Sequence, residues 1–367
     1  MKAKKLGSMG ILAILAVVVF VGIIVLIMNF NLQTDEGKPR VGCVLIGTRD
    51  DQGWNESHYE GLLEACKAQG CDFQVVENVP EKRMDVSQAV EGLIEDKCNV
   101  IFLTSYGYGK YAAPIAKAHQ ETAFYVISGD ETAENLTTYF ARLYQVRYLA
   151  GIVAGAATKT NTLGYVASSP NSQTNCGINA YTLGARLANP KAKVIVHWTR
   201  SWNDEAEEKK AVKRLKEKGA DVIAYHSDKA YSIEAAEVEG LYSIGYDAIY
   251  GEWSDKFLTA SLYDWGMLYT QIIEDYLSGR ANFSREYLMG LQEKAVKLAD
   301  FSPLVSDETK RLLAQESERI MTARDVFSGV IYDNAGRLRC EEDERISDEE
   351  MFAGMNWFVE GVENDKE

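Results

Sequence analysis

Aromatic and polar side chains stand together just after several apolar runs of the sequence. The run Val41–Gly47 leads into Asp51, Trp54 and Asn55. Later runs end in the same kind of residue, at Tyr106, Trp202, Asp228, Asp247 and Trp265. Aromatic faces beside carboxylates and amides suit a flat, polar heterocycle, because rings stack on its faces and polar groups bind its edge. These residues are the predicted ligand-binding site.

Each of these residues also has a structural interpretation. A loop tryptophan often covers the edge of a core. An aspartate before a helix often accepts hydrogen bonds from the first amides, a role that suits Asp51 and Asp204. Recurrence at the same place in both halves of the chain favours binding, while His58 and His226 carry a weaker signal.

Strand-like and amphipathic helical segments alternate from Pro39 onward, and the alternation restarts after residue 143. This order predicts parallel βαβ units and an α/β fold of two doubly wound lobes. We expect lobe 1 at 39–145 and lobe 2 at 146–262, with 263–367 returning to complete both. Open α/β sheets bind ligands beyond the carboxyl ends of their strands, so the predicted site lies in a cleft between the lobes.

The N-terminus predicts membrane attachment. Residues 1–8 carry lysines, and residues 9–28 contain no charged side chain. About twenty apolar residues are enough for a helix to cross a bilayer, and a basic flank favours a cytoplasmic start. We therefore expect a single-pass transmembrane helix at 9–28, a tether at 29–38 and an extracytoplasmic body. A cleaved signal peptide is the alternative, although no A-x-A site follows the apolar run.

Charge and motifs exclude several functions. The 367 residues carry a net charge of −15, which disfavours nucleic acid as a partner. The cysteines and histidines lack metal-site spacing, so neither a metal nor a cofactor is predicted. No nucleophile elbow or phosphate-binding loop occurs, so we do not expect an enzyme. A nucleoside hydrolase using Asp51, His58 and Asp228 is the catalytic alternative.

Several long stretches resemble the basic membrane protein family, the bacterial substrate-binding proteins related to purine-nucleoside-binding lipoproteins. They include "DQGWNESHYEGL", "TYFARLYQVRYLAGIVAG", "INAYTLGARLANPKAKVIVHWTRSWND" and "IGYD". The resemblance covers about residues 39–362. It implies a type I periplasmic-binding-protein fold with a hinge, and capture of a purine base or nucleoside for an ABC importer with permease and ATPase subunits. It places Trp54 and Trp202 on the two faces of the purine, with Asp51 and Asn55 alongside.

The chain departs from nucleoside-binding members of this family at two positions. Lys110 stands where those proteins have an aspartate that holds the ribose, and Tyr263 replaces a lysine before a late helix. Both changes favour a free base over a nucleoside. Asp51, Asn55, Asp228 and Asp247 are expected to bind the purine edge, with Tyr106 and Trp265 lining the pocket.

Other roles remain open for a chain of this kind. The family's lipid-bearing cysteine is missing, so 9–28 would hold the protein at the membrane. A ligand-sensing ectodomain that works with a separate membrane partner is the main alternative to an importer receptor. A repressor of the same two-lobe fold is disfavoured by the apolar N-terminus.

Overall fold

The computed structural model describes residues 39–129, 131–249 and 251–365. Two sheets, each flanked by helices, form two lobes. The strands are β1 (Arg40–Val44), β2 (Asp72–Val76), β3 (Val100–Leu103), β4 (Ala123–Ile127), β5 (Leu136–Ala141), β6 (Thr162–Ala167), β7 (Lys193–Trp198), β8 (Val222–His226), β9 (Tyr242–Asp247), β10 (Phe257–Tyr263), β11 (Tyr287–Met289), β12 (Val296–Leu298), β13 (Ile331–Tyr332), β14 (Leu338–Cys340) and β15 (Val362–Asn364).

Helices connect most of the consecutive strands. The α-helices are α1 (Trp54–Gln69), α2 (Arg83–Glu95), α3 (Gly109–Ala118), α4 (Leu143–Ala157), α5 (Ser172–Ala188), α6 (Glu205–Glu217), α7 (Tyr231–Glu239), α8 (Trp265–Leu277) and α9 (Asp307–Thr322). A 3₁₀ turn lies at Tyr106–Tyr108 and a π-helical turn at Glu350–Gly354. Helix α1 ends at Gly70, whose φ of 65° is left-handed and therefore favours glycine.

The sheet of lobe 1 has the order β2-β1-β3-β4-β5-β11, and all its neighbours pair in parallel. Alternate residues of its strands face opposite sides of the sheet. Val41 and Phe102 pack in the larger apolar cluster with residues of α1 and α8. Val44 and Ile101 pack in a second cluster with residues of α2 and α3. Burial on both faces explains why these strands read as continuous apolar runs.

The sheet of lobe 2 has the order β12-β10-β9-β8-β6-β7-β15, and only β12 runs antiparallel to its neighbour. Helices α4 and α5 pack closely against each other. A Cβ on Gly151 would lie 2.0 Å from the Tyr181 carbonyl oxygen, and one on Gly184 would lie 1.9 Å from that of Tyr148. Glycine at these positions therefore lets the two helix backbones approach.

Within the described residues, the chain passes between the lobes at three places, after β5, after β10 and between β11 and β12. Hydrogen bonds join these crossings to one another. The Arg142 N–H donates to the Met289 carbonyl oxygen (2.7 Å), and the Asp264 N–H donates to that of Ala295 (2.8 Å). Movement of one lobe against the other must therefore bend all three crossings together.

The predicted fold class is confirmed for the body of the protein, with two parallel-sheet α/β lobes joined by a hinge. The predicted anchor at 9–28 and the tether at 29–38 lie outside the described residues. Within the described part of the chain, no helix combines the length and apolarity needed to cross a membrane.

Candidate functional site

Loops at the carboxyl ends of the two sheets meet between the lobes. A Cβ on Gly53, after β1, would lie 2.0 Å from the carbonyl oxygen of Asp228, after β8. The Ser57 hydroxyl lies 3.2 Å from both carboxylate oxygens of Asp247, at the end of β9. Lys229 Nζ lies 4.0 Å from Asp51 Oδ2. These contacts join lobe 1 to lobe 2, so the structure shows a closed arrangement at this edge of the cleft.

In lobe 1, Asp51 and Asn55 bind the protein's own loop. Asp51 Oδ1 accepts hydrogen bonds from the N–H groups of Gly53 and Glu56, both at 3.0 Å. Its Oδ2 accepts one from Asn55 Nδ2 (2.9 Å). Asn55 Oδ1 accepts one from the Gly47 N–H (3.0 Å). The two side chains therefore fix the first turn of α1 against the end of β1, the structural role expected of an aspartate at a helix start.

Trp54 belongs to a block of aromatic rings beneath this loop. Its indole N–H donates to the Thr104 carbonyl oxygen (2.9 Å), and its ring meets those of His58 and Trp265 edge-on at 4.3 and 5.7 Å. His58 Nδ1 lies 2.6 Å from the Tyr269 hydroxyl. Burial lowers the pKa of His58 well below its ordinary value, so this imidazole is neutral.

In lobe 2, the loops that carry Trp202 and Asp228 lie against each other. Trp202 is 40% exposed, in the loop after β7. The Asp228 N–H donates to the Trp202 carbonyl oxygen (2.8 Å). This bond ties the loop after β7 to the loop after β8, so the backbones that carry the indole ring and the carboxyl group lie next to each other.

A row of aromatic rings connects the two lobes. It runs from Trp202 through His226, Tyr246 and Tyr263 to Trp265, with centroid separations of 5.8, 4.6, 6.2 and 4.4 Å. Tyr263 and Trp265 flank the second crossing and are nearly parallel, at 18°. A chain of neighbouring rings therefore connects the exposed Trp202 in lobe 2 with the aromatic block that contains Trp54.

Asp228 and Asp247 have unusual titration behaviour. Burial is the main cause that raises the pKa of each to about 7. The charge of Asp247 contributes to the rise at Asp228, and the charge of Asp51 contributes at both. Lys229 opposes the rise in the pKa of Asp228, and the Ser57 hydroxyl opposes it at Asp247. A carboxyl group that titrates near neutrality can donate a hydrogen bond when protonated and accept one when ionised.

Asp247 is also held in an uncommon backbone conformation. Its φ is 66°, in the left-handed region where aspartate and asparagine are the commonest residues after glycine. The Trp265 indole N–H is close enough to lower the pKa of Asp247, although the pair does not reach hydrogen-bond geometry. Strain of this kind persists where the surrounding structure holds it, and such positions cluster at binding sites.

Tyr106 stands apart from the other predicted site residues. It is 62% exposed, on the 3₁₀ turn after β3. The Glu81 carboxylate fixes this turn by accepting from the Ser105 hydroxyl (2.6 Å) and the Gly107 N–H (2.7 Å). Lys110 is exposed in the first turn of α3. Within the described ranges, neither Tyr106 nor Lys110 forms a hydrogen bond or ring contact with the predicted site residues.

Two residues of the closed arrangement were not predicted from the sequence. Ser57 lies one helical turn after Trp54 and faces Asp247, and Lys229 directly follows Asp228. The spacing of Ser57 from Trp54 was a usable signal, since residues three apart share a helix face. Lys229 had no such signal, because its relation to Asp51 exists only when the two lobes meet.

A family model described as ABC transporter substrate-binding protein PnrA-like matches residues 38–326. The chain belongs to this family. A purine-binding protein of Brucella abortus is 31% identical, over 90% of this chain and 94% of its own. A putative ABC transporter glucose-binding protein of Haloferax volcanii is also 31% identical, over 90% of this chain and 84% of its own.

Solved structures share the fold at low sequence identity. A transcriptional activator of the comK gene from Bacillus halodurans has a TM-score of 0.69 at 22% identity, covering 77% of this chain and 98% of its own. An ABC transporter solute-binding protein from Conexibacter woesei has a TM-score of 0.65 at 20% identity, covering 77% and 96%. These likenesses show a periplasmic-binding-protein fold.

Family membership confirms the predicted class of function. The chain is a substrate-binding protein of an ABC transporter, with a small-molecule ligand and with permease and ATPase subunits as partners. Substrate-binding proteins of ABC importers work outside the cytoplasm, which agrees with the expected extracytoplasmic body.

Proposed function

We propose that this protein is a membrane-anchored receptor that closes its two lobes around a purine, delivers it to an ABC permease, and leaves it chemically unchanged. Residues 9–28 would hold the receptor in the membrane, with the N-terminus in the cytoplasm. A free base is preferred to a nucleoside, because Lys110 stands where related nucleoside binders have the aspartate that holds ribose, and Tyr263 stands where they have a lysine.

The observation that carries this proposal is the pairing of Trp202 with Asp228. A flat heteroaromatic ring needs an accessible ring to stack on, and Trp202 is 40% exposed at the carboxyl end of the lobe 2 sheet. Its edge needs hydrogen-bonding groups, and the backbone of Asp228 is hydrogen-bonded to the backbone of Trp202, which brings the two loops together. Trp54 would provide the opposite face from lobe 1.

Carboxyl groups that titrate near neutrality suit a purine edge. Ring nitrogens of a purine accept hydrogen bonds, while N–H and amino groups donate them. Asp228 and Asp247, each with a pKa raised to about 7, can serve either kind of group. Asp51 and Asn55 lie in the same closed edge and would position this pair by holding the loop after β1.

Calorimetric titration of the full-length chain tests the ligand class. The ligands are adenine, hypoxanthine, guanine, their nucleosides, and glucose, because one relative is named for purine and another for glucose. Tight binding of bases is the expected result. Binding of nucleosides alone would contradict the roles given to Lys110 and Tyr263. Binding of glucose alone, or of none of these ligands, would overturn the purine assignment.

Trp202→Ala tests the stacking role directly. Stacking on one base contributes about 1–3 kcal/mol, so affinity should fall on the order of 10- to 100-fold. Tyr332→Ala is the matched control, since it removes another exposed aromatic ring (47%), on the β13–β14 hairpin. Equal affinities in the two variants would remove Trp202 from the site. A nucleoside incubated with the protein should be recovered intact, which separates a receptor from a hydrolase.

A further inference from the structure

Arg147, on α4, is a buried arginine without a carboxylate in contact among the described residues. It is 1% exposed. Nη1 donates a hydrogen bond to the Tyr225 carbonyl oxygen (2.9 Å). Nε and Nη2 have no acceptor in the described part of the chain. Burying a guanidinium with unpaired N–H groups is costly, so the arrangement requires a compensating partner.

The surroundings of Arg147 offset only part of this charge. Its guanidinium carbon lies 4.3 Å from the ring centroid of Tyr246 and 5.6 Å from that of Tyr165, which is cation–π geometry. Its charge also lowers the pKa of Asp247 through space. None of these contacts provides an acceptor for Nε or Nη2.

Other buried polar atoms near Arg147 are also unpaired. The hydroxyls of Tyr165 and Tyr181 and Nδ1 of His226 have no hydrogen-bond partner among the described residues. A Cβ on Gly177 of α5 would lie 3.8 Å from His226 Nδ1 and from the Tyr165 hydroxyl, and 3.9 Å from Arg147 Nε. Its other neighbours outside the helix lie no closer. Unpaired polar atoms from α4, β6 and β8 therefore converge on one point beside Gly177.

The helices that frame this point are held rigidly. The close backbone contacts of Gly151 and Gly184 fix α4 against α5. Interiors that are packed in this way relax only partly around a gap, so the polar atoms cannot simply move together and pair with one another. The pairing that they lack has to come from a small group that enters between them.

We propose that Arg147, Tyr165 and His226 bind a small monovalent anion of halide size beside Gly177. The guanidinium brings one positive charge and two free N–H groups, and the phenol brings an O–H donor. Burial and the charge of Arg147 keep His226 neutral, and its Nδ1 tautomer donates as well. A methyl group at the Gly177 Cβ position would meet these three atoms at 3.8–3.9 Å, and chloride and bromide are close to a methyl group in size. The site lies inside lobe 2, one ring inward from Trp202 along His226.

Halide-dependent unfolding of the full-length chain tests this proposal. Sodium bromide replaces sodium gluconate at constant ionic strength, and the thermal midpoint is followed. A ligand that binds only the folded state raises the midpoint in a saturable way. We expect a rise of about 2 °C or more. Equal midpoints in bromide and gluconate would overturn the proposal and leave water as the partner of these atoms.

Gly177→Ala and Gly92→Ala are a matched pair of variants. Alanine at 177 places a methyl group at the converging point with no contact closer than 3.8 Å, so it should fold and exclude the anion. Gly92, on α2, has open space around its Cβ position, so alanine there gains the same helix propensity and removes no site. The bromide effect should vanish in the first variant and persist in the second.

A crystal of the protein in bromide gives a direct readout. An anomalous peak in contact with Arg147 Nε is expected in the unaltered protein and absent from Gly177→Ala. A bromide effect that survives Gly177→Ala, or a peak elsewhere only, would refute the site. Purine titration of Gly177→Ala separates this proposal from the receptor function, because the cleft residues are unchanged and purine affinity should stay within twofold.

Discussion

The strand ends of the two lobes carry similar residues and use them differently. In lobe 1, the carboxylate of Asp51 and the amide of Asn55 are occupied by the loop that contains them, and the Trp54 indole N–H is bound to Thr104. In lobe 2, the Trp202 ring is exposed, and Asp228 and Asp247 hold carboxyl groups with a pKa raised to about 7. The polar groups of lobe 1 are therefore already hydrogen-bonded within their own lobe, whereas the two carboxyl groups of lobe 2 can still bind a ligand or the other lobe.

This difference indicates a division of roles in ligand capture. A surface whose hydrogen bonds are already made changes little on binding, so lobe 1 acts as a preformed platform. Lobe 2 carries the groups whose protonation and pairing change when the lobes meet. Removal of a side chain should therefore affect stability mainly in lobe 1 and affinity mainly in lobe 2.

The largest expected effect comes from Gly53→Ala, which places a methyl group in the contact between the two lobes. The new Cβ would lie 2.0 Å from the Asp228 carbonyl oxygen, while a φ of −170° is accessible to alanine. The open form should fold normally, and closure should fail. We expect purine affinity to fall on the order of 100-fold, since only the closed fraction binds tightly. Gly92→Ala is the control; equal affinity in both variants would mean that ligand binding does not need this contact.

Asp247→Asn tests whether ionisation of a buried carboxyl group in lobe 2 lowers the free energy of unfolding as the pH rises. The pKa of Asp247 is raised to about 7 in the folded protein, above about 3.9 when unfolded. The folded state therefore binds the proton more tightly, and its stabilising contribution is complete below pH 4 and lost as the pH rises through 7. Asparagine removes this loss and tolerates the left-handed φ of 66°.

Relative to the unaltered protein, Asp247→Asn should gain on the order of 3 kcal/mol in free energy of unfolding between pH 4.5 and pH 8. Denaturant unfolding at the two pH values measures this gain. Asp343→Asn, at a side chain that is 95% exposed, controls for loss of one negative charge. A gain that is the same at both pH values would contradict the buried, proton-binding state of Asp247.

Asp51→Ala and Asp228→Ala compare the two lobes most directly. Asp51 holds two backbone N–H groups of the α1 start, so its loss should cost about 1–2 kcal/mol of stability. Asp228 is a buried carboxyl near three like charges, so its loss should leave stability unchanged or improve it. Both variants are measured by thermal unfolding without ligand. A larger loss of stability in Asp228→Ala than in Asp51→Ala would contradict the proposed difference between the two lobes.

Ser57→Ala should have the smallest effect. The hydroxyl lies 3.2 Å from the Asp247 carboxylate across the cleft, and it also lies 3.0 Å from the Trp54 carbonyl oxygen of its own helix. One hydrogen bond across the cleft contributes about 0.5–1.5 kcal/mol. Purine affinity should therefore fall by roughly 2- to 10-fold. Ser57→Thr keeps the hydroxyl on the same helix face and should retain affinity. Loss in both variants would point to packing around the helix start and not to the hydrogen bond.

The fold was predictable from the sequence because its signals are local. Apolar runs alternate with amphipathic segments, and strands such as Val100–Leu103, buried on both faces, leave little choice but a parallel sheet between helices. The return of the chain was predictable in outline, from the helices after residue 263. The pairing of β15 with β7 was not, because three residues carry too little pattern to be recognised as a strand.

The sequence predicted which residues lie near the site, but it did not predict the role of each residue. The sequence placed Asp51 at a strand end, where a helix-capping residue and a ligand-binding residue look alike. The structure separates these roles through geometry, since both Asp51 oxygens already accept hydrogen bonds. The unpaired state of Arg147 was also invisible, because it depends on which atoms of β6, β8 and α5 surround a residue in an apolar helix.

The order of strands along the chain sets a constraint on biosynthesis. Lobe 1 needs β11 (Tyr287–Met289) and lobe 2 needs β12 (Val296–Leu298) and β15 (Val362–Asn364) to complete their sheets. At about 5–20 residues per second, β11 leaves the ribosome on the order of 10 s after β5. The sheets built from the N-terminal half therefore remain incomplete until the C-terminal third has been synthesised. Until these residues emerge, both sheets lack edge strands, so the last parts of the two lobes form late and together.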